Sequence, residues 1–131
     1  MQSYPGSCHC QAVKYRVKAD LNKGVRCNCS LCIKQRNWAV MVMQPDFELL
    51  QGEQSLGVYT RTEGSPHQHN FCRHCGVRTF TRSFTPELGP FVMVSVPSLE
   101  VSEEELASVK VTFMDGRNNN WAQTPAITCH L

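Results

Sequence analysis

Seven of the eight cysteines in this 131-residue chain fall into three tight clusters. The clusters are Cys8-His9-Cys10, Cys27-Asn28-Cys29-Ser30-Leu31-Cys32 and Cys72-Arg73-His74-Cys75. A structural zinc ion takes four protein ligands, whereas a zinc ion that takes part in chemistry keeps one coordination position free. Seven thiols are one short of two closed tetrahedral sites, so their number predicts one structural metal site and one open site.

The middle cluster indicates how the thiols divide between two ions. Its three thiols can converge on one ion if the segment turns, because an extended strand points alternate side chains to opposite faces. The outer clusters bring two thiols each, so neither closes a site alone. We therefore expect an open site on the middle trio and a structural site on the outer four. The trio is Cys27, Cys29 and Cys32, and the outer four are Cys8, Cys10, Cys72 and Cys75.

Two other metal-binding arrangements compete with this partition. In a zinc ribbon, Cys29 and Cys32 would pair with Cys72 and Cys75, which leaves Cys27 without a role. An iron–sulfur cluster of the plant type requires a further CxxC pair, and none follows Cys32. The pattern favours metal strongly and zinc over the other metals.

A disulfide framework is the alternative that does not involve metal. Residues 1–6 show no basic stretch followed by an apolar run, so we expect no secretory signal and a reducing, cytoplasmic location. Pairs spaced as CxC or CxxC are metal or redox spacings in an intracellular protein. Eight cysteines in 131 residues also fall below the roughly 8–10% content of short secreted disulfide scaffolds.

Composition predicts a single soluble domain spanning residues 1–131. The apolar content is 41%, and no apolar run is long enough to cross a membrane. Lys and Arg number 13 against 11 Asp and Glu, without a basic block. We therefore expect neither a nucleic-acid nor a membrane partner.

Short strand patterns dominate the chain. Residues 12–18 alternate apolar and polar side chains, and residues 38–43 form one apolar run, as in half-buried and buried strands. One short helix is predicted at Ser102, a capping residue followed by three glutamates that suit the helix dipole. The fold class is therefore mainly β. The remaining predicted strands cover residues 47–50, 58–61, 68–71, 77–80, 91–96 and 109–113.

Motifs around the three clusters carry a resemblance to a known family. The chain reads Gly6-Ser7-Cys8-His9-Cys10-Gln11-Ala12-Val13, then the middle cluster, then Phe71-Cys72-Arg73-His74-Cys75-Gly76. A Gly52-Glu53 turn lies between the second and third cysteine clusters, and Asp115-Gly116-Arg117 and Trp121 follow the third. These motifs resemble the signatures of the glutathione-dependent formaldehyde-activating enzyme family, which also includes centromere protein V.

The resemblance implies a Mss4-like fold of several short, coiled antiparallel sheets stapled by zinc. It also implies two zinc ions per chain, one on each of the two cysteine groups defined above. The second ion would bind the thiol of glutathione, and the product would be S-hydroxymethylglutathione, which makes the enzyme class a carbon–sulfur lyase. Family members usually have glycine where Gln11 stands, so a tight turn must tolerate a side chain there. Residues 33–38, which should wall the open site, also lack a glycine often found in the family.

An open zinc site suits thiol chemistry. The positive charge of the metal favours the deprotonated thiol, and the thiolate is the nucleophile. Three anionic ligands weaken the ability of zinc to polarise a carbonyl group, so thiol capture is favoured over aldehyde activation. Cys27, Cys29 and Cys32 are therefore the predicted catalytic residues. The resemblance places the exchange of a protein thiolate for the substrate thiol at Cys29.

The rival function is a zinc-stapled binding module without catalysis. Its second ion would be buried or closed by a fourth protein ligand, for which the candidates are Cys129, His130, His9, His67, His69 and His74. An enzyme acting on glutathione needs cations for the substrate carboxylates. The candidates for this role are Arg61, Arg73, Arg78, Arg82 and Lys34, and Trp38 and Trp121 are expected in the core or as a lid. Gly76 is expected to adopt a positive φ at the end of its CxxCG turn.

Overall fold

The structure is a computed structural model that describes every residue from Met1 to Leu131. It contains ten strands and two short α-helices, joined by turns and single 3-10 turns. The strands are β1 (Gln2–Ser7), β2 (Lys14–Ala19), β3 (Gly24–Cys27), β4 (Trp38–Met43), β5 (Phe47–Gln51), β6 (Leu56–Tyr59), β7 (Gln68–Cys72), β8 (Arg78–Thr85), β9 (Gly89–Ser95) and β10 (Val111–Met114), and the helices are α1 (Ser30–Gln35) and α2 (Glu103–Ser108).

The smaller sheet has three antiparallel strands in the order β1-β2-β5. In β2 the predicted alternation is confirmed, since Tyr15, Val17 and Ala19 are buried while the lysines and arginine between them are exposed. This pattern gives the sheet one face that packs into the core and one that faces solvent.

The larger sheet has seven strands in the order β10-β3-β4-β9-β8-β7-β6. Its pairs are antiparallel except for β10 and β3, which run parallel. The apolar run at residues 38–43 forms β4, with the predicted bounds, and lies between β3 and β9. The prediction of a mainly β protein with antiparallel sheets is confirmed.

The core lies between the two sheets. Tyr15 of β2, Phe47 of β5 and Phe80 of β8 pack with ring centroids 4.6 to 5.6 Å apart. Val92 and Val94 of β9 join them, whereas their neighbours on that strand point to the opposite face of the large sheet. The large sheet therefore has a core face and an outer face.

Helix α2 confirms the one predicted helix. The Ser102 side chain accepts the Glu105 amide at 3.1 Å, which is the N-cap contact expected from the sequence. Strands β1 and β3 and helix α1 were not predicted. Neither α-helix has the length and apolar character required to cross a membrane.

Candidate functional site

The four outer cysteines meet at the ends of β1 and β7. Cys8 directly follows β1, and Cys72 is the last residue of β7. The sulfur atoms of Cys8, Cys10, Cys72 and Cys75 all lie within 4.8 Å of one another. Cys10 is 3.7 Å from both Cys8 and Cys72. Tetrahedral zinc with Zn–S bonds of about 2.3 Å places its sulfurs about 3.8 Å apart, so the four thiols fit such an ion.

Two tight turns present these sulfurs to backbone amides. Gln11 adopts φ 70° and Gly76 adopts φ 76°, which confirms both expectations for these positions. The side-chain amide of Gln11 donates a hydrogen bond to Ser7 Oγ at 3.0 Å, which holds the side chain against the end of β1. The turns allow the amide of Val13 to donate to Cys8 Sγ at 3.3 Å and that of His74 to Cys72 Sγ at 3.4 Å.

The middle trio forms a second group of sulfurs. Cys27 ends β3, Cys29 is the N-cap of α1 and Cys32 lies in its first turn. The three sulfurs lie within 4.8 Å of one another, and no histidine, carboxylate or fourth cysteine completes this group. The turn that convergence requires is therefore helix α1, which begins where the Cys29 sulfur accepts the Cys32 amide at 3.5 Å. The structure thus divides the seven thiols into four and three, and not into the pairs of a zinc ribbon.

Hydrogen bonds within the trio concentrate negative charge. Contacts from Cys27 and Cys32 to the Cys29 sulfur lower the pKa of Cys29 to about 2. The pKa of Cys32 is raised, first by its contact with Cys27 and then by that with Cys29. Cys29 is therefore the thiol of the group that loses its proton most readily, and the donor set suits a thiophilic cation.

The loop after β10 is anchored to the trio by Asn28, which lies between two of its cysteines. Asn28 is buried, and its side chain donates to Asp115 Oδ1 at 2.7 Å and accepts the Arg117 amide at 2.8 Å. A Cβ atom on Gly116 would lie 2.6 Å from Cys27 Sγ and 2.6 Å from the Trp121 ring. The loop therefore brings an indole and an arginine close to the sulfurs.

The trio opens into a cavity of about 260 Å³ on the outer face of the large sheet. Strand alternation places Phe91 and Met93 of β9 on this face, and they form part of an apolar wall. The lining includes two arginines and two histidines and contains no aspartate or glutamate. The polar and charged lining residues are Asn37, Arg61, Ser65, His67, His69, Arg78, Thr81 and Ser83, and Val25, Leu31, Met114 and Trp121 complete the apolar wall.

A second cavity of about 310 Å³ adjoins the trio at Cys29. It is lined by Cys29, Ser30, Arg61, Gly116 and Arg117, and it also lacks a carboxylate. Arg61 lines both cavities and donates to Ser30 Oγ at 3.1 Å. Arg117 uses its Nε atom to bond the Asn28 carbonyl at 3.3 Å. Each guanidinium therefore keeps nitrogen atoms free for an anionic ligand.

His69 faces the first cavity in a neutral form. Burial, followed by the nearby charge of Arg78, lowers the pKa of His69 to about 4. Arg78 donates to His69 Nδ1 at 3.0 Å, and a guanidinium can only donate. Nδ1 is therefore the acceptor of the neutral ring, and the proton resides on Nε2. Nε2 has no hydrogen-bond partner in the chain and is not among the buried unpaired polar atoms.

Several candidates from the sequence lie elsewhere. Arg73 bonds the Leu56 carbonyl, Arg82 pairs with Glu53, and Lys34 is exposed on α1. None of these three lines either cavity, and neither does Trp38, which packs against the core below the Arg26 guanidinium. His9, His74, Cys129 and His130 are exposed and belong to neither sulfur group. Asn28 and Arg117 also belong to the site, although the sequence did not single them out as site residues. Both lie in the motifs that carry the family resemblance.

The fold and its two thiol groups define a small β protein whose cysteines can hold two metal ions. A family model described as "Glutathione-dependent formaldehyde-activating enzyme" matches residues 3–122. The chain belongs to this family, as its motifs indicated. A crystal structure of a Rhodobacter sphaeroides protein is similar, with a TM-score of 0.69 and 29% sequence identity. The match covers 82% of this chain and 99% of that one.

Proposed function

We propose that this protein is a zinc-dependent carbon–sulfur lyase that forms or cleaves S-hydroxymethylglutathione or a closely related thiol–aldehyde adduct. The observation that carries the proposal is the incomplete sulfur trio facing a cavity with cationic and apolar walls and no carboxylate. A closed or buried site, as a binding module could have, would not need that cavity. Family membership supports glutathione and formaldehyde as the substrates.

We further propose that both ions are zinc. Cys8, Cys10, Cys72 and Cys75 would hold the structural ion, and Cys27, Cys29 and Cys32 the catalytic ion. Zinc at the trio would supply the positive charge that keeps an incoming thiol deprotonated. Thiols must stay reduced to serve as ligands, so we place the protein, as one domain over residues 1–131, in the cytoplasm.

The two free arginines would bind the substrate carboxylates. Glutathione carries two carboxylates, and charge-assisted hydrogen bonds to guanidinium groups both orient and strengthen such contacts. Arg61 and Arg117 line the cavity that begins at Cys29, so they are placed to hold an anionic tail whose sulfur lies at the trio. The absence of aspartate and glutamate from this lining removes the repulsion that a carboxylate would otherwise meet.

The reaction needs a shielded pocket for a small aldehyde. The glutathione thiol first gives up its proton to water, and its sulfur then donates an electron pair to the carbonyl carbon. The C–S bond forms, the C=O π electrons move to oxygen, and that oxygen takes a proton from water, so no proton is gained or lost overall. The apolar wall of Phe91, Met93 and Trp121 limits competing hydration. His69 lines this cavity and can donate a hydrogen bond from Nε2–H to the developing oxyanion, because its Nδ1 atom accepts from Arg78 and leaves the proton on Nε2.

The test combines metal counting with product detection. Native mass spectrometry should find two zinc ions per chain. ¹³C exchange spectroscopy with labelled formaldehyde and glutathione should show faster adduct exchange with the protein than without it. Cys29→Ser should abolish this acceleration, whereas Cys129→Ser should retain it, because Cys129 lies outside both groups. Two ions with no acceleration would favour the binding module, and a single ion would contradict the open-site assignment.

A further inference from the structure

Arg78 is a half-buried cation with no carboxylate partner. Its guanidinium bonds four neutral acceptors: the Gln35 side chain, Asn37 Oδ1 at 3.0 Å, His69 Nδ1 at 3.0 Å and Thr81 Oγ1 at 2.5 Å. The ion pairs in the structure are Arg16 with Glu48 and Arg82 with Glu53, so no acidic side chain lies within 4.0 Å of Arg78. Its four bonds occupy both terminal nitrogens.

The neutral acceptors around Arg78 leave its positive charge without an opposite charge among its hydrogen-bond partners. Taking a charged group out of water is unfavourable unless an opposite charge accompanies it. Burial lowers the pKa of Arg78, and the charges of Cys32 and Cys29 act in the opposite direction. Arg78 lines the same cavity as the three sulfurs of the trio, which are the anionic ligands nearest to it in that lining.

Asn37 connects the guanidinium to the trio. Its Oδ1 atom accepts from Arg78, and its Nδ2 atom lies 3.6 Å from Cys32 Sγ as a donor. Backbone amides donate to sulfurs in both groups. Only the trio also receives a side-chain amide, since the other contacts of the four-cysteine group run between its own thiols. Arg78 is thus linked through Asn37 to the group that would have to accept a further anionic ligand.

We propose that Arg78, acting in part through Asn37, is a positioning residue whose charge balances the anionic cysteine trio and tunes it to retain its metal ion and accept a substrate thiolate. This inference rests on the proposed function. Three thiolates and one divalent ion leave one negative charge, and a substrate thiolate adds another. A fixed positive charge that lines the same cavity and is linked to Cys32 through Asn37 offsets this excess.

The experiment compares metal retention at the two sites. Wild-type protein, Arg78→Gln, Arg78→Lys and the control Arg82→Gln are loaded with zinc and titrated with a chromogenic chelator. The zinc count is followed by native mass spectrometry. Arg82 is the matched control, because it lies on the same strand and pairs with Glu53 away from the cavity. Cobalt substitution adds a second readout, since its sulfur-to-metal absorption reports on thiolate coordination.

The expected result is selective. Arg78→Gln should weaken retention of one ion about 10- to 100-fold, as loss of a supporting contact around metal ligands typically does, and leave the other ion unchanged. Arg78→Lys keeps the charge but not the planar fork, so it should retain most of the affinity. Arg82→Gln should match the wild type.

Three results would overturn the inference: unchanged retention in Arg78→Gln, equal loss in Arg78→Gln and Arg78→Lys, or loss at both sites. Equal loss would identify Arg78 as a structural cross-link between β7, β8 and the end of α1. A wild-type protein that binds two ions but does not accelerate adduct exchange would refute the proposed function. The effect of Arg78 on metal retention could still be measured in that case. A wild-type protein with a single ion refutes both.

Discussion

At the scale of single residues, Gly116 shows how closely the loop approaches the sulfur trio. An added methyl group would overlap both Cys27 Sγ and the Trp121 ring, at 2.6 Å from each. We expect Gly116→Ala to cost about 1–3 kcal/mol by overpacking and to weaken metal binding at the trio. Thermal unfolding and zinc per chain measure these effects. Gly64→Ala separates backbone strain from contact with the sulfurs: its φ of 77° strains an added side chain, so stability should also fall, but its methyl meets no atom within 4 Å and zinc loading should stay complete. Full zinc loading in Gly116→Ala would contradict the role assigned to this glycine.

Arg61 carries a second residue-level prediction. A charge-assisted hydrogen bond contributes about 1.5–3 kcal/mol, and the exposure of Arg61 places its effect at the low end of this range. We expect Arg61→Ala to raise KM for glutathione about tenfold, with little change in kcat. Cysteamine, a thiol without carboxylates, should show no such increase. An equal loss with both thiols would mean that Arg61 supports the fold or the metal site and does not bind a carboxylate.

At the scale of elements, helix α2 depends on its cap. Ser102 accepts the Glu105 amide, and three glutamates occupy the first turn. Ser102→Ala should lower the free energy of unfolding by about 1 kcal/mol and the melting temperature by about 4 °C. Adduct exchange should be unaffected, since no residue of α2 lines either cavity. Ser3→Ala, at an exposed position of β1 without a side-chain hydrogen bond, is the control. Equal melting temperatures of the two variants would refute the cap.

Strands with a clear apolar pattern could be predicted from the sequence. Elements made mostly of motif residues, which show no such pattern, could not. β4 is a plain apolar run, and β2 alternates over its whole length, so both were found. β1 contains Pro5 and Gly6, which read as a turn, although they lie on an edge strand that tolerates proline. Helix α1 has six residues and no buried one, so it leaves no periodic pattern in the sequence.

The division of the seven thiols into groups of four and three could be predicted from their spacing in the sequence. The other contacts of the site could not. The trio is nearly contiguous in the chain, so its convergence required only a turn. Asn28 and Asp115 are far apart in sequence and meet only because β10 pairs in parallel with β3. The contacts of Arg78 with His69 and Asn37 likewise depend on sheet register and on where α1 ends. Such contacts follow from topology and cannot be read from spacing.

On the scale of the whole molecule, the large sheet separates the two sulfur groups. Cys8 and Cys72 belong to the core cluster and are 1% and 0% exposed. The trio lies at the outer face beside the cavities. Through Cys8 and Cys72 the four-cysteine group ties β1 to β7 at the core, while Cys10 is exposed and Cys75 half-buried. Cys27 and Cys29 are also buried, but no member of the trio belongs to the core cluster.

This separation predicts that the two groups differ in their effect on folding. Ligation of a structural zinc ion contributes about 10–16 kcal/mol in small zinc modules, comparable to the total stability of about 5–15 kcal/mol of a typical domain. Cys72→Ser should therefore lose the native far-ultraviolet circular dichroism spectrum and both ions. Cys27→Ser should keep the native spectrum and one ion, and lose adduct exchange. Cys129→Ser should resemble the wild type, since this thiol is exposed and outside both groups. A folded Cys72→Ser variant would show that core packing alone maintains the fold. An unfolded Cys27→Ser variant would instead assign a structural role to the trio.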